Sequence, residues 1–335
     1  MDIVILTLVK ESACSFYRSV GVFQQLRNLD PSIRVRTVEA AHWSTLGACD
    51  LVIMERPTNE NFLKAIQDCK AMGIPVWSDF DDDLFNLEPD NPGYSYHSQK
   101  KTKLTMQYCI KHSDIVTVST PEIATVFKEI NKNVVVIPNA FNDYIYKMDL
   151  QKNEEPRISW RGSITHRGDL LEYVHVMWKL AKKHPAIEWN FYGKDLWFVT
   201  EKTPITEGLE NSFVHGEMDM LNYMYEFRSK RPSVHLIPLK DNHFNRCKSN
   251  CAWIEATWAG AACVVPTFSE FQRVMKDTYS GKIAFGAIAE NLILDKPYRN
   301  EVYLASKESI EQNLKLSEIN KTRLQIAKEI SRGNR

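Results

Sequence analysis

Short apolar runs alternate with longer amphipathic stretches over the first 140 or so residues. The runs at residues 3–8, 33–38, 51–54, 76–79, 115–119 and 134–137 are too short for helices and predict strands. Between them, residues 19–29, 60–72, 99–111 and 121–130 repeat apolar positions at helical spacing. Pro121 follows Ser119 and Thr120 and marks a helix start, because its fixed φ and missing N–H suit a first turn. Mostly apolar strands alternating with helices predict a parallel sheet covered on both faces.

The alternation stops at residues 142–156. Asp143, Lys147, Asp149, Lys152, Asn153, Glu154 and Glu155 make this stretch polar and non-periodic, as a linker would be. It then restarts, with strands expected at 157–160, 188–192, 234–238 and 262–265. Helices are expected at 169–183, 218–228, 247–258 and 270–276. From 307 to 332 the pattern is helical and strongly charged. The expected fold class is α/β, with two open units and an interdomain cleft at the carboxyl ends of their strands, where ligands bind.

Composition narrows the function. A length of 335 residues accommodates two cores. Equal numbers of acidic and basic residues, 42 each, argue against a protein that coats nucleic acid, which needs a basic surplus. No apolar run reaches the length of a membrane span, so no integral membrane association is expected. The apolar N-terminus is short and lacks a basic start, so it reads as a buried strand and not a signal peptide. The seven cysteines are odd in number. Cys247 and Cys251 lie four apart, yet no second Cys or His pair follows at zinc spacing. Reduced thiols in a cytoplasmic chain are expected.

Residues 244–260 carry the most chemistry. Asn245, Lys248 and Ser249 stand ahead of an apolar helical run that holds Glu255 and is closed by Gly260. A helix start with free N–H groups and a lysine can hold phosphate. A carboxylate two turns on can accept hydrogen bonds from a sugar diol. Together they suggest a nucleotide-sugar site.

Four stretches resemble a known family. They are residues 118–122 (Val-Ser-Thr-Pro-Glu), 136–140 (Val-Ile-Pro-Asn-Ala), the glycine loop 160–170 and the 237–265 segment around Lys248 and Glu255. The chain resembles glycosyltransferases of GT-B architecture, close to the group-1-type enzymes. The resemblance implies two Rossmann-like domains, an acceptor-binding one at 1–141 and a nucleotide-sugar-binding one at 157–303. It also implies a terminal helix, 304–335, that packs back on the first domain. Glu255 would bind the donor ribose and Lys248 the diphosphate. Asn245 and Ser249 would lie near phosphate or sugar. Arg161, Gly162 and Ser163 would meet the diphosphate from the glycine loop. The donor would be a UDP-sugar or similar co-substrate, with no separate cofactor and, as is usual for GT-B enzymes, no bound metal. One departure stands out: Cys247 occupies the place, eight positions before Glu255, where the family carries a sugar-contacting Glu.

Other candidates follow predicted strands, each with an ordinary structural alternative. In the acidic run 79–85, Asp79 and Asp82 could bind an acceptor and Asp81 could act as general base; the alternatives are a helix cap and, less favoured, a divalent-metal site of hard oxygen ligands. His166, beside Asp169, could act in the cleft or cap the next helix. Arg18 and Arg56 are acceptor candidates or surface arginines, Arg18 then stacking on Tyr17. Gly193 could lie under the nucleotide base or turn the chain. Trp253 and Trp258 read as core.

The acceptor implied most commonly by such folds is a glycan or lipid-linked sugar. Residues 14–18 and the acidic run also look like transferases of tailed bacteriophages, some of which glycosylate modified DNA bases. That reading makes double-stranded DNA a partner, with a hydroxymethylated base as acceptor in the host cytoplasm. Lys100, Lys101, Lys103 and Lys111 would then line a basic groove, or else form a solvated helix face. A non-catalytic sugar-nucleotide-binding module is the alternative of another class, and Cys247 is its support.

Overall fold

Among the described residues, eleven strands form two wholly parallel sheets. The computed structural model describes residues 1–151, 155–199, 203, 205–275 and 277–331. Lys152, Asn153 and Glu154 of the expected linker, Lys276 of an expected helix and the tail residues 332–335 lie outside them. The first sheet holds β1 (Asp2–Leu6), β2 (Arg34–Val38), β3 (Leu51–Glu55), β4 (Val76–Phe80), β5 (Ile115–Val118) and β6 (Val134–Val136), ordered β2-β1-β3-β4-β5-β6. The second holds β7 (Arg157–Ser163), β8 (Glu188–Lys194), β9 (Ser212–His215), β10 (Val234–Leu236) and β11 (Ala262–Val264), ordered β11-β10-β7-β8-β9. Every residue of β3 and β4 is buried, including the polar Glu55, Ser78 and Asp79 at their carboxyl ends. β2, at an edge, exposes Arg34 and Arg36 instead.

The structure departs from the sequence pattern in four places. β9 was not expected: it is the outermost strand, with Phe213 and Val214 exposed, so it carries no buried apolar signature. The expected helix 19–29 breaks into Val20–Phe23 and a 3-10 turn, Gln24–Asn28. Gly21 lies just after the preceding helix, Ala13–Arg18, where a Cβ would come within 2.3 Å of the Phe16 carbonyl. The expected helix 247–258 begins later, at Cys251, and runs to Ala259. It is preceded by a single turn, His243–Arg246, so Cys247–Ser249 form the loop between them. Gly260, at φ 97°, ends the second helix in the left-handed conformation. Finally, the acidic run after β4 caps no helix; the next one is Tyr94–His97.

Helices Gly281–Leu294 and Lys296–Asn313 lead to a last helix, Leu316–Ile330. Leu316, Ile326 and Ala327 of that helix join a core with Ile3, Phe23 and Trp77 of the first sheet unit. Asn320 donates its amide to the Val22 carbonyl at 2.9 Å. The chain thus crosses between the units twice, and the crossings touch: Phe141 N–H donates to Leu314 O, and Leu316 N–H to Phe141 O, both at 2.8 Å.

Strand order reverses direction at β1/β3 in the first sheet and at β7/β10 in the second. Loops leaving these points diverge, which opens a crevice at the strand ends. The two crevices face each other.

Candidate active site

A cavity of about 330 Å³ lies between the sheets. From the first unit Cys14, Tyr17, Arg56, Asp81, Asp82 and Asn139 line it. From the second come Arg161, Ser163, His166, Lys248, Ser249 and Glu255. Residues 238 positions apart therefore meet, because both sets stand at or beyond the carboxyl ends of the parallel strands of the two sheets.

Glu255 is the most heavily bonded group in the cavity wall. It is buried on the helix Cys251–Ala259, two turns beyond Lys248. Tyr17 donates its hydroxyl to Oε1 at 2.9 Å, across the cleft, and Tyr223 donates to Oε2 at 2.9 Å. Arg161 Nη2 donates to Oε1 at 3.0 Å. Arg161 Nε lies 2.7 Å from Oε2 as an ion-pair contact without hydrogen-bond geometry. A buried carboxylate requires such a cation, since an unpaired one would be costly. Burial and the Glu255 charge push both tyrosine hydroxyls well up, so each remains a donor.

Lys248 projects from the loop between the two helices. Its ammonium sits 4.5 Å from the centre of the Phe244 ring and 4.0 Å from Asp82 Oδ1. Ser249 accepts from Asn139 Nδ2 at 2.8 Å. Asn139 Oδ1 in turn accepts from Arg18 at 3.0 Å, so the loop is tied to the core of the first unit.

His166 and Asp169 form a pair at the start of helix Arg167–Lys183. His166 Nδ1 lies 3.0 Å from Asp169 Oδ2, and Asp169 Oδ1 accepts from Asn245 Nδ2 at 2.8 Å and from Lys240 N–H at 3.0 Å. Burial, then the Lys248 charge, lowers the His166 pKa and favours the neutral ring. Burial would raise Asp169, but the His166 contact, the Lys240 N–H and the Lys248 charge together outweigh it and lower its pKa.

Opposite, Arg56 adopts φ 45°, a strained conformation for a non-glycine residue and one that clusters at functional sites. Its guanidinium pairs with Asp81 and donates to Asp82 Oδ2 at 2.8 Å. Burial would raise Asp81, yet Arg56 holds it below the usual carboxylate range. Cys14 Sγ donates to Asp81 Oδ2 at 2.8 Å.

Nine of the sequence candidates thus meet in one cavity: Asp81, Asp82, Arg56, Arg161, Ser163, His166, Lys248, Ser249 and Glu255. Five do not line it. Arg18 and Asp79 are buried and bound to each other by two hydrogen bonds of 2.8 Å, which takes both away from an acceptor. Nor is Arg18 a surface residue stacked on Tyr17. Asn245 is turned towards Asp169 and Lys240 O. Gly162 and Gly193 are neighbours in β7 and β8. A Cβ on Gly162 would meet Trp160 at 2.6 Å and His166 at 3.0 Å. One on Gly193, at φ 139°, would lie 1.7 Å from Gly162 O. Both glycines allow close chain approach under the site. Tyr17, Tyr223 and Asn139 were not singled out as site residues. Asn139 had a signal in the Ile-Pro-Asn stretch and Tyr17 in the stretch 14–18, while Tyr223 had none.

Among the described residues one further group can hold a metal ion: Asp83, His243 and Cys247. Among them also, no helix is long and apolar enough to cross a membrane.

No protein-family model and no curated protein matches the sequence. Solved structures do match. Anabaena HepE, in complex with UDP and glucose, superposes with a TM-score of 0.68 at 12% identity, over 98% of this chain and 100% of that one. TarM of S. aureus, in a complex that includes UDP, gives 0.60 at 14% identity, over 82% of this chain and 54% of that one. The pneumococcal O-GlcNAc transferase GtfA, with UDP and GlcNAc, gives 0.59 at 13%, over 86% and 58%. The chain thus spans about half the length of TarM and GtfA and the whole of HepE. Two parallel α/β sheets facing across a cleft, in the arrangement these proteins share, make this a GT-B-like two-domain fold.

Proposed function

We propose that the protein is a glycosyltransferase that moves a sugar from a UDP-sugar to an acceptor hydroxyl. The observation that carries this reading is the pairing, in one interdomain cavity, of a buried carboxylate with three cations. Glu255 and Arg161 lie in its wall, Lys248 lies beside them, and Arg56 faces them across the cleft. HepE, TarM and GtfA are described with UDP in structures of the same fold, which supports a UDP-sugar as donor.

In this reading Glu255 accepts from the ribose hydroxyls, in exchange for one or both tyrosine bonds. Lys248, Arg161 and the loop ahead of Cys251 meet the diphosphate. As the bond from the anomeric carbon to the phosphate oxygen breaks, negative charge grows on that oxygen. Fixed cations in a water-poor cleft stabilise it. The acceptor oxygen bonds to the anomeric carbon and gives up its proton. His166, neutral and held by Asp169, is suited to take that proton, as is Asp81 across the cleft. Asn245, Arg18 and Asp79 are positioning residues: Asn245 orients Asp169, and the Arg18–Asp79 pair sets Asn139 and through it Ser249. The first domain supplies the acceptor side through Arg56, Asp81 and Asp82.

A panel of sugar nucleotides, assayed for UDP release with glycans, a lipid-linked sugar or hydroxymethylated DNA as acceptor, tests the proposal. Acceptor-dependent release with one donor is expected. Binding of donors without turnover under every acceptor would instead support the sugar-nucleotide-binding module. Neither the neutral net charge nor Lys101, which pairs with Glu60, favours DNA over the other acceptors.

A further inference from the structure

We infer that Asp83, His243 and Cys247 form a binding site for a zinc-like divalent cation that joins the two domains. His243 and Cys247 stand four apart around one helical turn, His243–Arg246, and so project from the same face. Asp83 comes from the loop after β4, 160 residues earlier, and meets them from the opposite domain. His243 Nε2 lies 2.8 Å from Asp83 Oδ2 and 3.6 Å from Cys247 Sγ. All three ligand atoms fall within 4.8 Å of one another.

The donor set suits zinc, which takes imidazole nitrogen, thiolate sulfur and carboxylate oxygen in tetrahedral sites. Metal–ligand bonds of about 2.0–2.3 Å require ligand atoms roughly 3.3–3.8 Å apart. The nitrogen–sulfur distance already fits, and the nitrogen–oxygen pair needs to open by about half an ångström. The surroundings favour an ion. Asp83 is fully buried, and Cys247 is almost so. Half-exposed His243 leaves an entry path and a fourth position for water. Bound metal would replace the Cys247 thiol proton, which passes to solvent, and break the Asp83–His243 hydrogen bond. Thiolate and carboxylate then balance the two positive charges.

Second contacts hold the ligands. Asp83 accepts from Asn86 Nδ2 at 2.7 Å and from Phe85 N–H at 3.1 Å. The Cys247 carbonyl accepts from Thr120 Oγ1 at 3.0 Å, again across the domains. An ion here would hold the cleft in the closed arrangement, at the loop that carries Lys248.

Titration of the chelator-treated full chain with Zn²⁺, and with Co²⁺ as an optical probe, tests the inference. One equivalent is expected to bind, with a thiolate-to-cobalt absorption band that disappears in Cys247→Ser. His243→Ala, at a half-exposed position and with Asp83 still held by Asn86 and Phe85 N–H, is expected to weaken Zn²⁺ binding at least tenfold. Zn²⁺ should raise the Tm of the natural chain and leave that of His243→Ala unchanged. No saturable binding, a cobalt spectrum without the thiolate band, or equal affinity in His243→Ala would each overturn it. None of these readouts depends on turnover.

Discussion

Replacing Lys248 by Met isolates its charge from its packing. The Lys248 ammonium sits over the Phe244 ring, so Met gives up that cation–π contact but keeps an apolar side chain of similar length beside the ring. Asp82, 4.0 Å from the ammonium, retains Arg56 as a partner at 2.8 Å, so no buried carboxylate is left alone. Folding should change by no more than about 1 kcal/mol, the size of that cation–π contact. What is lost is one charged hydrogen bond to diphosphate, worth about 1.5–3 kcal/mol. Asp82 competes for the same ammonium, which places the expected loss near ~2 kcal/mol, or roughly 30-fold in Kd. Calorimetric titration with UDP, UMP and uridine separates this from general damage. The variant should bind UDP roughly 30-fold more weakly than the natural chain and uridine about equally, with UMP between. A uniform loss across all three ligands, or less than about a twofold change for UDP, would refute the assignment of Lys248 to phosphate.

Three further outcomes follow from the same contacts. Asp79→Ala strands Arg18 in the core without its carboxylate and should destabilise the chain by about 3–5 kcal/mol in urea unfolding; a change under ~1 kcal/mol would mean the pair is not buried as described. Gly193→Ala places a methyl against Gly162 O at positive φ, with an expected cost of about 1–3 kcal/mol from the backbone alone, and weaker UDP binding as β7 shifts; unchanged stability would contradict the close approach of these strands. Burial lowers the His235 pKa to about 3, and its Nε2 has no hydrogen-bond partner. The unfolded chain therefore binds the proton first, and stability is complete above about pH 6.5 and falls as pH drops towards 3. His235→Gln should flatten that slope, and an identical slope would assign the acid sensitivity elsewhere.

The two-sheet organisation was readable in the chain because nearly every strand is buried on both faces and so appears as an apolar run. β9 escaped because an edge strand with exposed Phe213 and Val214 looks like a loop. Lys248 and Glu255 were readable because both belong to one local stretch that ends on a helix. Tyr17 was not, since its contact with Glu255 spans 238 residues and depends on how two domains face each other. The same reason hid the Asp83–His243–Cys247 group: zinc spacing was sought along the chain, while one ligand comes from the other domain. Asn245 had the right neighbours in sequence, but the turn His243–Arg246 points its amide at Asp169 and away from the cavity. The acidic run was read as one unit, yet its members divide: Asp79 to the core, Asp81 and Asp82 to Arg56, and Asp83 to His243.

The central claim is that Glu255 receives the ribose diol of a uridine diphosphate. Comparing the affinities of UDP and its 2′,3′-dideoxy analogue for the natural chain and for Glu255→Gln tests it directly. The natural chain should prefer UDP by about tenfold or more, given hydrogen bonds to a charged acceptor worth about 1.5–3 kcal/mol, and the variant should lose that preference while its remaining affinity for the two ligands converges. An equal preference for UDP in both proteins, or none in the natural chain, would contradict the account.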